Sequence, residues 1–193
     1  MMTERRREKF LSVLRHRQPS LTLVMEDIHD PHNVSAVLRS ADAVGILEVQ
    51  LVYMNEEFPK LGKKSSASAV KWIHRRKFTS IKECYDKLRT EGFTIFATQI
   101  GQQSRSIYDT DLTKKVALVF GNEHRGVSTE AADLADGLVL IPMVGMIQSL
   151  NVSVACAVTL YEAFRQRQQA GMYEQSAMQP DEIQKLFDEW TKR

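Results

Sequence analysis

Val139-Leu140-Ile141-Pro142-Met143-Val144-Gly145-Met146-Ile147-Gln148-Ser149-Leu150-Asn151-Val152-Ser153-Val154-Ala155-Cys156-Ala157-Val158 carries an apolar strand into an apolar helix through a turn of special residues. Pro142 ends the strand, Gly145 is expected to supply a sharp turn, and Ser149 and Asn151 stand at the mouth of the helix. Such a turn exposes backbone amides and carbonyls to a ligand. Two earlier segments have the chemistry to meet it. One is Asn33 to Arg39, after Asp30-Pro31-His32; the other is Gly121-Asn122-Glu123-His124-Arg125-Gly126, directly after the apolar run Val116 to Phe120.

Working outward, residues 4 to 17 read as a helix with Phe10, Leu11, Val13 and Leu14 on its apolar side, broken by Gln18-Pro19-Ser20. Leu21 to Met25 reads as a strand. Val34, Val37, Leu38, Ala41 and Val44 then repeat at helical spacing up to Gly45, and Arg39 falls off that stripe. Further strands are expected at 49–53, 93–98, 116–120 and 138–141, and a short strand or irregular segment at 70–76. Helices are expected at 81–90, 129–135 and 150–168, with a loop at 101–106 and a terminal helix at 181–192. The apolar stripe Leu150, Val154, Ala157, Val158, Tyr161 and Phe164 suits close packing on a sheet or on a twin subunit. Alternating strands and helices imply an α/β domain with a mostly parallel sheet. The expected divisions are an N-terminal helical extension (1–20), the main domain (21–170) and a C-terminal helical extension (171–193).

The 193 residues, 43% of them hydrophobic, are enough for one substantial core. No signal-peptide pattern and no run of membrane-spanning length is present, so a cytoplasmic protein without membrane association is expected. Cys84 and Cys156 lack metal-ligand spacing and read as reduced packing residues. The net charge of +2 conceals a segment from 58 to 82 with no Asp or Glu, holding Lys63, Lys64, Lys71, Arg75 and Arg76. Arg5, Arg6, Arg7, Arg15 and Arg17 form a second basic segment. With Trp72 and Phe78 interleaved, these cations suit RNA phosphates and bases, although a solvated charged face gives the same pattern.

None of the nine glycines stands in a G-x-G pair, and no phosphate-binding G-x-x-x-x-G-K-[ST] loop exists. His29 and His32 have no second ligand cluster, so no metal site is expected. Ser149 lacks the nucleophile-elbow pattern. Thr98, Gly121 and Ile141 stand at the carboxyl ends of expected strands, where open parallel sheets bind ligands. Taken singly, Asn33, Ser149 and Asn151 read equally well as helix caps, Glu123 as a turn residue and Arg39 as a solvated arginine.

Taken together, these segments resemble the SPOUT class of methyltransferases, in particular the SpoU or TrmH type that methylates ribose 2′-hydroxyls in tRNA. The matching motifs are Asn33 with Arg39 five intervening residues later, Gly121-Asn122-Glu123, and Ile141-Pro142-Met143 with Ser149-Leu150-Asn151-Val152-Ser153. Flanking matches at Arg17-Gln18-Pro19, Pro31-His32-Asn33, Ala41-Asp42-Ala43-Val44-Gly45 and Arg165-Gln166-Arg167 extend the likeness over residues 5 to 175. They point to the branch that modifies a D-loop guanosine. The resemblance implies a deep C-terminal trefoil knot, a homodimer, tRNA as partner and S-adenosyl-L-methionine (AdoMet) as cofactor. It implies cofactor contacts at Thr98, Gly121, Ile141, Met143, Ser149 and Leu150, and catalytic roles for Arg39, Asn33, Glu123, Ser149 and Asn151. Guanidinium stays protonated in proteins, so Arg39 would act as an electrostatic group beside a forming alkoxide, with Asn33 orienting either Arg39 or the ribose. The alternatives are an RNA-binding protein without catalysis on the same fold, and a 2′-O-methyltransferase for another tRNA or rRNA position.

Overall fold

A computed structural model describes residues 2–60 and 69–193. Lys63 and Lys64 lie outside the described residues. In chain order the elements are α1 (Glu4–Arg15), β1 (Leu21–Glu26), α2 (Pro31–Ala43), β2 (Glu48–Val52), β3 (His74–Phe78), α3 (Ile81–Thr90), β4 (Thr94–Thr98), β5 (Arg105–Ser106), β6 (Val116–Phe120), α4 (Thr129–Asp133), β7 (Gly137–Leu140), α5 (Val152–Gln169) and α6 (Pro180–Thr191). A short 3-10 turn at Ala69–Lys71 precedes β3.

The seven strands lie in the order β3-β2-β1-β6-β4-β7-β5, and all the pairings are parallel. β1 and β6, at the centre, are buried along their whole length, as expected of parallel strands covered on both faces. Side chains alternate between those faces. Leu21, Leu23, Met25, Leu118 and Phe120 pack with α2 and α5, while Val24, Ala117 and Val119 pack with α3 and α4. The cysteines sit one in each layer, and burial pushes the Cys84 thiol up to about 12, so it is an inert packing group.

Several local expectations change. Residues 105 and 106 form the edge strand β5, paired with Val139 and Leu140, rather than part of a loop. Asp30, not Asn33, caps α2, accepting from the His32 N–H at 2.7 Å, with Pro31 in the first turn. The core face of α5 is Cys156, Thr159, Leu160 and Ala163, whereas Leu150, Val154 and Tyr161 are exposed. The first ten residues of this helix, Val152 to Tyr161, place apolar side chains on nearly every side, so spacing alone does not distinguish its two faces. Trp72 and Phe78 are not a stacking platform: Trp72 packs on Phe10 (5.3 Å) and Trp190 (5.0 Å), and Phe78 is buried in the core. With Leu14, Met178 and Phe187, the rings of Phe10, Trp72 and Trp190 join α1 to α6, so the two ends of the chain form one layer.

Two guanidinium groups are fully buried. Arg17 is not a phosphate ligand; it donates to the Ile46 carbonyl (2.7 Å) and to Asp42 (2.6 Å) and lies over the Trp190 ring. Arg167 donates only to neutral acceptors, the carbonyls of Leu112, Ser20 and Lys114, the Ser20 hydroxyl and the Gln18 amide oxygen. Burial lowers the Arg167 pKa to about 10.

Candidate active site

The loops leaving the carboxyl ends of β4, β6 and β7 surround a cavity of about 350 Å³. Thr98, Gly121, Ile141, Met143, Ser149 and Leu150 all line it, as the resemblance implies for cofactor contacts. Ile107, Val139 and Val152 give it apolar walls, and its charged groups come from one loop, residues 121 to 126. That loop folds back on itself. The Gly126 N–H donates to the Asn122 carbonyl at 2.8 Å, and the Asn122 side chain accepts from the His124 and Arg125 amides. A Cβ on Gly121 would stand 2.0 Å from the Gly126 carbonyl, so only glycine permits this closure. Gly145 is different: a Cβ there meets nothing within 4 Å, and the residue does not line the cavity. The constrained glycine is Gly121, not Gly145.

At the edge of the cavity the three motif segments meet through side chains. Glu123 Oε1 accepts from Asn33 Nδ2 (3.0 Å) and the Asp30 N–H (3.1 Å), and Oε2 accepts from the N–H (3.3 Å) and Nδ1 (3.1 Å) of His29. Asn33 Oδ1 in turn accepts from Asn151 Nδ2 at 3.1 Å. Asn151 also caps α5, its oxygen taking the Ser153 N–H at 2.8 Å. Partial burial raises the Glu123 pKa, but the donors outweigh it and hold the carboxyl below the usual carboxylate range. Glu123 is therefore an anion held by amide donors, with His29 Nδ1 at its edge.

Arg39 stands apart from this network. Six residues beyond Asn33, it lies about 9 Å further along the helix and on another side of it, and it is exposed. Both polar groups of Asn33 are engaged with Glu123 and Asn151, so Asn33 does not orient Arg39 within one chain. Ser149 is in the cavity wall rather than in the Asn33 network.

Sequence reasoning missed the support beneath the loop. Asp27, buried and with φ of 50°, accepts from the backbone N–H groups of Met54, Asn55 and Glu56, and its own carbonyl accepts from Asn122 Nδ2. Glu26 is buried beside it and accepts from the Ser128 N–H at 2.9 Å; burial raises its pKa. The available signal was the polar run Glu26-Asp27 directly after an apolar strand. Of the basic residues, Arg5, Arg6, Arg7, Arg15, Lys71 and Arg75 are exposed. Arg76 is held by Glu48 (2.6 Å) and Glu91 (2.8 Å) at the other end of the sheet. Among the described residues no group of three or more His, Cys, Asp or Glu could hold a metal ion, and no helix is long and apolar enough to cross a membrane.

A parallel α/β sheet with a cavity at its carboxyl edge, bordered by the 121–126 loop and an Asn-Glu-Asn bridge, defines a ligand-binding α/β domain without a dinucleotide fingerprint. Residues 20–161 match the model of the SpoU rRNA Methylase family, and residues 165–191 match the SpoU rRNA methylase C-terminal model. The chain belongs to the SpoU methylase family. It is 45% identical over 191 residues to the tRNA (guanosine(18)-2′-O)-methyltransferase of Thermus thermophilus, covering 99% of this chain and 98% of the relative. To the protein of the same name from Escherichia coli (strain K12) it is 40% identical, covering 97% and 82%. The crystal structure of the A. aeolicus TrmH/SpoU tRNA modifying enzyme superposes with a TM-score of 0.92 at 36% identity, covering 98% and 96%. The SpoU methyltransferase AviRb from Streptomyces viridochromogenes, in complex with the cofactor AdoMet, gives 0.71 at 27%, covering 81% and 64%.

Proposed function

We propose that this chain transfers a methyl group from AdoMet to the ribose 2′-hydroxyl of the D-loop guanosine at position 18 of tRNA, the reaction for which its full-length relatives are named. The observation that carries the proposal is the Glu123-Asn33-Asn151 bridge at the edge of the cavity, because it draws all three motif segments into one place. The cavity suits the cofactor: apolar walls for an adenosine and a charged loop for an amino-acid end. Bound there, AdoMet supplies an electrophilic methyl on a sulfonium.

The residues of the chain have the remaining tasks. Thr98, Gly121, Ile141, Met143, Ser149 and Leu150 hold the cofactor, largely through backbone groups. Glu123 and Asn33 fix the edge of the cavity where the ribose enters, and Asn151 ties that edge to α5. Arg39 lowers the cost of removing the 2′-hydroxyl proton by offering a fixed positive charge, and the proton passes to water or an RNA phosphate.

The working form is a homodimer in which Arg39 serves a site completed by a second copy. The exposed side of α5, Val154 and Tyr161, continues into Val144, Met146, Ile147 and Leu150 of the preceding loop, an apolar surface on the flank of the cavity. The C-terminal chain is knotted. The RNA rests on Arg5, Arg6, Arg7, Arg15, Lys71 and Arg75, together with Lys63 and Lys64. Residues 1–20 and 171–193 are extensions of the catalytic domain 21–170, and the protein works in the cytoplasm.

The test is methyl transfer from labelled AdoMet to unmodified tRNA, followed by identification of the nucleoside. Labelled 2′-O-methylguanosine from position 18 is the expected product. A base-methylated product, or label elsewhere in the tRNA, sinks the assignment; AdoMet and tRNA binding with no transfer favours the RNA-binding alternative.

A further inference from the structure

Among the described residues lining the cavity, Arg125 is the one permanent cation. It also lines a recess of about 60 Å³ behind the 121–126 loop, together with Asp27 and Asn55. Its Nη2 lies 3.4 Å from Asp27 Oδ2, and just over half of its side chain is exposed. The carboxylate that tethers it is an unusual one. Asp27 adopts the left-handed backbone conformation, which is unfavourable for a residue with a Cβ. It is held there by Met54, Asn55 and Glu56 through their backbone N–H groups, by Asn55 Nδ2 at 2.9 Å and by Asn122 on its carbonyl. Burial favours the neutral acid, but these donors outweigh it and keep Asp27 ionised. The loop that carries Arg125 is thus fastened to Asp27 at two points, Asn122 on its backbone carbonyl and Arg125 on its buried carboxylate, and the guanidinium is tethered at one edge.

A guanidinium fixed at one edge and open at the other presents N–H donors in a planar fork matched to a carboxylate. AdoMet ends in an amino acid whose carboxylate, taken out of water, needs a charged or hydrogen-bonding partner. The apolar walls Ile107, Val139, Ile141 and Leu150 offer it nothing, and Glu123 on the same loop has the same charge.

We propose that Arg125, anchored by the buried Asp27, binds the carboxylate of the methionine end of AdoMet. This rests on the cofactor assignment above and adds to it the group that recognises the amino-acid end at the 121–126 loop, with the adenosine toward β7.

Calorimetric titration of the full chain with AdoMet and with its decarboxylated analogue tests this without any turnover. The parent chain should prefer AdoMet by roughly 10- to 100-fold, the range of a charge-assisted hydrogen bond. In Arg125→Met, AdoMet affinity should fall by that factor and the analogue's should not, so the preference disappears. Arg125→Lys should keep part of it, since charge survives without the fork. Preference retained in Arg125→Met overturns the proposal, as does equal loss for both ligands, which would mean packing rather than charge. Unchanged AdoMet affinity with a raised KM for tRNA would make Arg125 a contact to an RNA phosphate and also overturn it. Each of those results leaves AdoMet as cofactor; a parent chain that binds neither ligand removes the cofactor assignment and this inference together.

Discussion

At the amino end of the sheet Arg76 lies between Glu48 and Glu91, so charge meets opposite charge and is spent inside the chain. At the carboxyl end Glu123 is gripped mainly by amide donors, from Asn33, Asp30 and His29. Those donors neutralise nothing. They fix the position of an anion and leave its field available, which is what a site that handles a proton and a cationic cofactor needs. The first arrangement is a cation clamped by two carboxylates and the second an anion held by neutral donors, although both place a partly buried Glu next to nitrogen donors.

The largest effect should come from Arg39, an exposed cation with no ion pair among the described residues, to which the proposed mechanism assigns the developing alkoxide. Arg39→Ala should lower the methylation rate roughly 100-fold or more and shift stability by no more than about 0.5 kcal/mol, since the side chain is exposed. Parent-like turnover in that variant would make Arg39 a bystander.

Next in size is Gly121→Ala, where the added carbon would meet the Gly126 carbonyl at 2.0 Å. Opening the loop should cost about 1–3 kcal/mol and remove AdoMet binding. Gly145→Ala, with open space around it, should alter neither. Thermal melts and calorimetry on the pair decide whether loop closure or chain flexibility shapes the cavity; equal losses at both positions would refute the closure.

Acid titration sharpens the comparison further. The folded Glu123 value lies below the ordinary one near 4.5, so its stabilising contribution is complete above that pH and is lost as pH falls through the depressed value. Glu26, raised by burial, has the opposite sign: its contribution is present at low pH and is lost as pH rises through its raised value. Denaturant midpoints measured against pH should therefore show a shallower acid limb in Glu123→Gln than in the parent. An unchanged limb would mean the amide donors do not hold the carboxylate ionised. The smallest effect belongs to the amino end, where Arg76→Met should cost about 1 kcal/mol or less, because both ion pairs are partly exposed. Methylation should not change; a drop in rate would tie the two ends of the sheet together.

The sheet was legible because its central strands are apolar throughout and its helices carry clear stops such as Gly92, at φ of 83°. α3 begins and ends where spacing puts it. Part of the cavity wall was legible from strand ends, at Thr98, Gly121 and Ile141, but Met143, Ser149 and Leu150 were legible only as a resemblance: Thr98 and Leu150 are 52 positions apart, and periodicity says nothing of how such positions meet. α5 misled because a helix apolar on two sides has no single stripe to read. Arg17 and Trp72 misled for a related reason, since composition does not reveal that a cation and a ring in a basic segment are turned toward α6. Asp27 went unread because its importance lies in a backbone angle.

The clasp formed by Arg167 on Ser20 spans 147 positions of chain, and the bond from Asn122 to the Asp27 carbonyl spans 95. During synthesis at about 5–20 residues per second, β1 therefore waits on the order of 5–20 seconds for its neighbour β6 to be made, its apolar edge unpaired. α5 arrives later still, and with it the guanidinium that gathers the carbonyls of Leu112, Lys114 and Ser20. The nascent chain thus carries a half-built sheet while the residues between β1 and β6 are made, and a truncation before residue 167 leaves those carbonyls without their donor.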